Sequence, residues 1–386
     1  MTNLRFLLIS LLAFMNLNST AIVGNDSIVT IGVDSLRYDE EDTRLWETIS
    51  GNIDKVATKV KKRVKDLDEF DRTYIETNYY NYTAMLQNTN YWQQYRFSAT
   101  DELDRKQSIN ISPRSAIKIG PYFGWRWIFL GYTVDVGSFG KARKNTEFNL
   151  SLYSAKIGGD LVYIRNKSDF KIGTIKGFDG VDSERFSGYS FDGMKAYSTM
   201  LNVYYVFNHK HFSYPAAYAQ STIQRISAGS FILGFRYDLH KIHFDHTYLP
   251  QDLLYDKVGN ERLFSSMKID MIKYYNLGVS FGYAYNWVFA KNWLFNFSLT
   301  PALGYKKTRG EPWDKSVLID DVKSFNIDFT GRTALVWNNR KVYAGASFIT
   351  YGYGYKKAYF NFRNFINYLN VYVGVNFNKK RQYRNQ

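Results

Sequence analysis

Tyr275-Asn276-Leu277-Gly278-Val279-Ser280-Phe281-Gly282-Tyr283-Ala284-Tyr285-Asn286-Trp287, continuing to Phe289, is the stretch that decides the fold. Its odd positions hold large apolar or aromatic side chains and its even positions hold Asn, Gly, Ser and Ala. Side chains alternate across an extended chain, so this is a strand with one greasy face and one small polar face. A soluble sandwich strand usually stops after about five or six residues. This alternation runs more than twice that far.

The same division recurs on both sides of it. Phe231, Leu233, Phe235, Tyr237 and Leu239 oppose Ser230, Gly234, Arg236 and Asp238, and Trp293, Phe295, Phe297 and Leu299 oppose Asn296, Ser298 and Thr300. Near the end, Leu369, Val371, Val373, Val375 and Phe377 oppose Asn370, Gly374 and Asn376, and earlier Ile128, Leu130, Tyr132, Val134 and Val136 oppose Gly131, Thr133 and Asp135. A soluble barrel would turn the polar face to water, where Lys and Glu abound. Here that face is small and mostly uncharged, which suits a crowded or wet lumen, while the apolar face is continuous enough to meet lipid. Tyr283, Tyr285, Trp287, Trp293, Trp125 and Trp127 then read as interfacial girdles. The expected fold class is all-β, a transmembrane antiparallel β-barrel, with a short N-terminal amphipathic helix.

Breaks in the alternation are expected at 86–90, 99–106, 138–146, 167–170, 178–192, 209–219, 244–267, 290–292, 305–320, 338–340 and 355–359. They give roughly 12 strands, within about 10 to 14, an even number being usual for a single-chain bacterial barrel. Short breaks such as 290–292 and 338–340 fit the periplasmic side and long ones the extracellular side.

Composition agrees and excludes alternatives. With no cysteine in 386 residues, zinc ribbons, disulfide scaffolds and thiol enzymes are out. The 45% hydrophobic content excludes a disordered chain. Beyond the extreme N-terminus no apolar run approaches the roughly 20 residues of a membrane helix.

Residues 1–21 have the layout of a secretory signal: Arg5, an apolar run from Phe6 to Leu17, then Ser19, Thr20 and Ala21. Residues 22–70 are expected to be a periplasmic leader. Within it Leu45, Ile49, Ile53, Val56, Val60, Val64 and Leu67 form one helical stripe, giving an amphipathic helix over 43–69 whose other face is basic with Lys55, Lys59, Lys61, Lys62, Arg63 and Lys65. That face suits packing on the protein, anionic headgroups or a periplasmic partner protein. The barrel is expected over 71–378 and a basic tail over 379–386.

Several stretches look like the Bacteroidota outer-membrane proteins grouped as domain-of-unknown-function family 4421. The residues that carry the likeness are Gly120-Pro121-Tyr122-Phe123-Gly124-Trp125-Arg126-Trp127 leading to Gly131-Tyr132 and Asp135, then Glu147-Phe148-Asn149-Leu150-Ser151 with Gly158-Gly159-Asp160. The third stretch is Phe212-Ser213-Tyr214-Pro215-Ala216-Ala217-Tyr218-Ala219-Gln220-Ser221 with Gln224-Arg225 and Ser227-Ala228-Gly229-Ser230. The resemblance covers most of the chain after about Asp71 and implies an outer-membrane barrel of a gut-type anaerobe. The family has no assigned activity, so it supplies no catalytic residue.

Candidate chemistry is sparse. His240, His243 and His246 have a regular spacing, but on a strand the middle one faces away from the other two, so no metal site is expected. His209, His211 and Ser213 are the loop counterpart of a serine–histidine hydrolase pair. The alternation places Lys118, Asp135, Arg236, Asp238, Asp328 and Arg332 on the lumen side, as cross-lumen ion pairs or a charged conduit. Gln220, Gln224 and Arg225 belong to a polar segment, 212–230, that either folds inward as a plug or binds a ligand.

Lys and Arg total 50 against 35 Asp and Glu, a net charge of +15. Many cluster in expected loops and ends, including Lys141, Arg143, Lys144, Lys306, Lys307, Arg309, Lys356, Lys357, Lys379 and Arg381. In the outer membrane of a bacterial cell their partners are lipid and lipopolysaccharide phosphates. Nucleic acid is not expected, and neither is a cofactor. Three functions remain: a non-enzymatic, porin-like barrel passing or binding a small solute, a structural or partner-binding barrel with a filled lumen, and a lipid-modifying enzyme.

Overall fold

A computed structural model describes residues 70–125, 128–131, 134–138, 145–312, 322–357 and 359–384. The expected signal, leader and helix over 43–69 lie outside the described residues, as do the side chains of Trp125 and Trp127. In chain order the strands are β1 (Ile75–Thr77), β2 (Tyr80–Thr100), β3 (Lys106–Pro113), β4 (Ala116–Trp125), β5 (Ile128–Gly131), β6 (Val134–Asp135), β7 (Thr146–Tyr153), β8 (Ile157–Asn166) and β9 (Phe170–Lys176). They continue with β10 (Met194–Val206), β11 (Thr222–Gln224), β12 (Ala228–Phe244), β13 (Ile269–Ala290), β14 (Trp293–Pro312), β15 (Val322–Asn338), β16 (Val342–Lys357) and β17 (Phe360–Lys379). A short helix, α1 (Tyr214–Tyr218), lies between β10 and β11.

Antiparallel pairing runs β4–β5–β7–β8–β10–β12–β13–β14–β15–β16–β17–β2, and β2 returns to β4 through ten register pairs from Tyr82↔Trp125 to Tyr91↔Ala116. Those strands form a closed ring of 12, the number expected from the turns. Closure removes the two open edges of the sheet, which a lipid environment requires. At one end lie the tight turns at Lys291–Asn292 and Asn339–Lys341, together with Tyr80 paired to Lys379. We call this the turn end. The loops 177–193 and 245–268 mark the opposite, loop end.

Orientation follows the alternation. Val279 and Phe281 are 55% and 54% exposed, whereas Asn276 and Asn286 on the same strand are 1% and 0% exposed. The exposed belt continues through Phe231, Leu233 and Phe235 on β12, Phe295, Phe297 and Leu299 on β14, and Val371, Val373 and Val375 on β17. Apolar area of that extent on the outside and Asn, Ser and charge on the inside define a transmembrane β-barrel. Tyr275 and Tyr285 bracket the belt on β13. Ten residues at about 3.4 Å each, tilted by about 40–45°, span roughly 25 Å along the normal, the height of a barrel's apolar band. Tyr283, Tyr285, Trp287 and Trp293 are all outward at its turn-end border.

Two expected breaks are overturned. The polar run Leu86–Asn90 lies within β2, which continues from Tyr80 to Thr100. Its residues satisfy one another and the neighbouring strands: Gln87 Nε2 donates to Thr89 Oγ1 (2.9 Å) and Asn370 Oδ1 (3.0 Å), and Asn88 donates to the Lys118 carbonyl. The break placed at Tyr305 is also too early, because β14 extends to Pro312.

Where a lumen ring needs room, glycine faces it across the ladder. A Cβ on Gly158 would sit 2.2 Å from the Tyr204 ring opposite, and one on Gly374 2.2 Å from Tyr343. These glycines let large rings fold flat into the bore.

Candidate functional site

The inward positions of the strands fill the bore in layers. At the loop end Phe97, Ile109, Phe170, Phe191, Phe244 and Phe362, with others, form a buried apolar cluster. β3 and β9 supply its extra wall, β3 pairing with β2 at Tyr95–Thr100 and with β9 from Ser108 to Pro113. Loop residues Leu249, Leu253 and Leu263 close over it.

A charged lattice lies below. Asp238, Asn276 and Lys306 share one register row across β12, β13 and β14. Lys306 Nζ is 2.7 Å from Asp328 Oδ1 and donates to the Gly354 carbonyl at 2.6 Å. Asn276 Nδ2 donates to both Asp238 and Asp328 at 2.9 Å, and the Gly354 N–H reaches Asp328 at 3.1 Å. Arg236 donates to the Tyr353 hydroxyl (2.8 Å) and Thr330 (3.3 Å), and lies 3.8 Å from Asp238. Arg332, on β15 like Asp328, reaches across the bore to pair with Asp160 on β8, which also accepts from Ser151 and Asn202. Charges buried this deeply persist only when paired and hydrogen-bonded.

The third layer is the segment between β10 and β12, which folds back into the bore. Ser213 caps α1 by accepting from the Ala216 N–H (3.2 Å), and Pro215 occupies the first turn, so the Ser-Tyr-Pro order starts the helix locally. Tyr214 shares a hydrogen bond with Ser298, Tyr218 donates to Asn296, and Ala216 and Ala217 pack on Leu294, Ala334 and Val336. Gln220 accepts from Asn338 and donates to Tyr372, and Gln224 accepts from Asn286 and from the Ser213 N–H. Gln220 does so at φ 56, a left-handed conformation unusual for a residue with a side chain.

At the turn-end mouth β1 pairs with β11, attaching the chain just before β2 to the plug. Glu76 on β1 is held by Arg340 and lies 3.3 Å from Arg225. Burial pushes the Glu76 carboxyl up, but the Arg340 and Tyr79 hydrogen bonds and the charges of Arg340 and Arg225 outweigh it and hold it below the ordinary range.

The sequence-predicted residues therefore divide into three groups. Arg236, Asp238, Asp328 and Arg332 meet in the lumen as ion pairs and hydrogen bonds. Gln220 and Gln224 are plug residues, and Arg225 sits at the mouth. Lys118 and Asp135 face each other in register between β4 and β6, with Lys118 Nζ 5.4 Å from the Tyr91 ring centroid. Lys306 is a correction: expected among loop lysines facing phosphate, it is 0% exposed inside the barrel. It shares the even parity of Asn296 and Ser298, a signal obscured by ending the strand at Tyr305. Asp160 went unrecognised because its partner lies 172 residues away.

The loop reading of 209–219 is also corrected. This long connection stands at the turn end and inside the bore, since β10 descends to it and β12 climbs away. Ser213 does not meet a histidine there: its hydroxyl bonds Thr222 (2.7 Å), while His211 bonds Asn208 (3.0 Å) and lies 3.6 Å from Asp71. Burial first, then the charge of Lys156, lowers the His209 pKa. The serine–histidine contact that does exist joins Ser198 and His240 at 2.8 Å, in a fully buried position under Tyr274. Among the described residues no group of side chains is arranged to hold a metal ion.

Layered this way, the molecule is a transmembrane β-barrel whose lumen is occupied by its own side chains and a folded-in plug. The chain belongs to the family described as Domain of unknown function (DUF4421), whose model matches residues 69–377. No curated protein matches it. Among solved structures it is similar to the outer-membrane protease OmpT of Escherichia coli, at 8% identity and TM-score 0.36, covering 78% of this chain and 98% of that one. A bacterial polysaccharide outer-membrane secretin is similar at 9% identity and TM-score 0.25, with 78% and 99% covered. The toluene transporter TodX of Pseudomonas putida is similar at 8% identity and TM-score 0.20, with 78% and 91% covered. The fold stands on the strand pairing above, independently of these likenesses.

Proposed function

We propose that this chain is a non-enzymatic barrel of the bacterial outer membrane, in a Gram-negative cell of the Bacteroidota, working as a structural or partner-binding element and not as an open pore. The turn end is then periplasmic and the loop end extracellular. The observation that carries the reading is the lattice of Arg236, Asp238, Asn276, Lys306 and Asp328 crossing the bore between an apolar cap and the α1 plug. A diffusion path for a hydrated solute needs those ion pairs broken and their charges left in a low-dielectric interior, which is costly. The basic helix expected over 43–69, joined to the plug through β1, is the natural contact for a periplasmic protein.

Reconstitution into planar bilayers tests the proposal. The intact protein is expected to insert and to pass no steady current. Regular conductance steps from the unmodified chain would overturn it in favour of the solute-passing reading, since current requires a continuous wet bore.

A further inference from the structure

The outer surface carries a row of charge that neither the lumen nor the plug accounts for. On β12 and β13 the outward residues are apolar from Phe231↔Tyr283 up to Leu239↔Tyr275, and the next outward pair is Lys241↔Lys273. Tyr197 on β10 stands opposite Lys241, and Arg165 on β8 stands opposite Tyr197, its guanidinium 5.9 Å from the ring centroid. Across β13, Arg309 occupies the register position opposite Lys273. Five neighbouring strands thus bring four basic residues and a tyrosine to one level, and Lys195 adds another basic position one outward step nearer the loops.

Two lysines directly opposite on adjacent strands repel each other, a destabilising arrangement unless a counter-charge lies between them. Among the described residues none is seen between these two lysines, although on β14 the register brings Glu311 opposite Met271, one outward step nearer the loops. Among the described residues the outward positions of β8, β10 and β12, and of β13 from Met271 to Phe289, hold no carboxylate, and no ion pair involves Lys195, Lys241 or Lys273. The depth is equally specific. The row lies one outward step beyond Tyr275, where the roughly 25 Å apolar band ends and headgroups begin. A matching row is absent on β12 and β13 at the turn-end border, where Tyr283, Tyr285 and Trp287 face outward.

We infer that this row is a binding site for the phosphate groups of a lipid A-type glycolipid in the outer leaflet, with Lys241 and Lys273 holding one phosphate between them. Arg165, on the β8 side of that pair, suits a second phosphate, because a guanidinium matches phosphate oxygens in fork geometry. The inference rests on the membrane orientation proposed above.

The test uses the full mature chain in nanodiscs of zwitterionic phospholipid, with bound lipid counted by native mass spectrometry. The probes are bisphosphorylated lipid A, its dephosphorylated form, phosphatidylglycerol and inorganic phosphate. Bisphosphorylated lipid A is expected to bind, dephosphorylated lipid A to lose at least tenfold in affinity, and phosphatidylglycerol and inorganic phosphate to compete poorly. Lys241→Gln combined with Lys273→Gln is expected to weaken lipid A binding at least tenfold, while Lys291→Gln at the turn end leaves it unchanged. Each variant is first checked for heat-dependent mobility on gels, the mark of a closed barrel. Equal binding by the paired variant, or by the dephosphorylated lipid, overturns the site. Equal binding of phosphatidylglycerol overturns its glycolipid identity. Failure of the unmodified chain to enter the bilayer at all would instead remove the membrane orientation, and the site with it.

Discussion

Lys306 and Asp328 are the sharpest probe of the lumen, because both are 0% exposed and their charged atoms are 2.7 Å apart. At an effective dielectric near 20 their attraction is about 6 kcal/mol, set against a desolvation cost of similar size. Breaking one half is the expensive step. Asp328→Asn leaves an ammonium facing the Gly354 carbonyl and a neutral amide in place of a carboxylate, and about 3–5 kcal/mol of stability should be lost. Lys306→Met leaves a carboxylate that still accepts from Asn276 and the Gly354 N–H, so its cost should fall at or below the lower end of that range. The double variant carries neither charge, and its loss should be smaller than the sum of the two by at least about 1.5 kcal/mol, within the usual size of coupling between touching residues. Denaturant unfolding of protein refolded into lipid vesicles, followed by tryptophan fluorescence, measures all four corners of the cycle. Additive losses would mean that the two side chains do not meet, and would refute the lattice.

Three further outcomes follow from other parts of the molecule. Because the Glu76 carboxyl is held below its unfolded value of about 4.5, its contribution to the β1–β11 latch is fully present above that value and is lost as pH falls through the lower, folded one; protection of the residue 75–77 amides, measured against the exchange of an unstructured peptide at the same pH, should be high at neutral pH and fall under acid, and protection that ignores acid would refute the coupling. Arg340→Gln should lower that protection at neutral pH as well, since it removes the principal partner. On β13, a Cβ at Gly282 would lie 2.1 Å from the Leu299 carbonyl oxygen, whereas one at Gly278 would find nothing closer than 3.5 Å; Gly282→Ala should lower the denaturant midpoint by an equivalent of about 1–3 kcal/mol while Gly278→Ala leaves it nearly unchanged.

What the sequence disclosed was whatever depends on parity. The odd residues from Tyr275 to Phe289 could be assigned to lipid and the even ones to the lumen without knowing a single partner, and Arg236, Asp238, Asp328 and Arg332 came inward by the same rule. Partner identity was not legible, because Arg332 and Asp160 are joined by closure of the ring and not by any local pattern. Local composition misled at Leu86–Asn90, where Gln, Asn and Thr resembled a turn but form polar ladders between β2, β4 and β17. At 209–219 length suggested an outer loop, while the polar run 212–230 left inward folding as a plug open beside ligand binding. The Ser213 cap and Pro215 announce a helix start, but only the direction of β10 and β12 shows which end it closes, and only Tyr214, Tyr218 and Gln220 reaching Ser298, Asn296 and Asn338 show that it lies within.

The bore is closed by elements acting in series, and that arrangement makes a prediction which a simple plugged pore does not. Replacing residues 208–226 with a short turn would remove α1 and with it the hydrogen bonds that Tyr214 shares with Ser298, that Tyr218 donates to Asn296, and that Gln220 and Gln224 accept from Asn338 and Asn286. At about 1 kcal/mol net for each, the barrel should lose roughly 4 kcal/mol, enough to lower its denaturant midpoint clearly. Current should still not flow, because Arg332–Asp160, the Arg236–Asp328 lattice and the apolar cluster around Phe97, Phe244 and Phe362 remain in the path. A small thiol-reactive probe should distinguish the two sides of the remaining seal. A cysteine placed at Ser298, beneath the plug, should become reactive when the plug is removed, while one placed at Ser198, beyond Arg332 and beside His240, should stay protected. If plug removal alone produced ohmic conductance, or exposed both cysteines equally, the lattice would not be a barrier, and the molecule would be a gated channel with α1 as its only stopper.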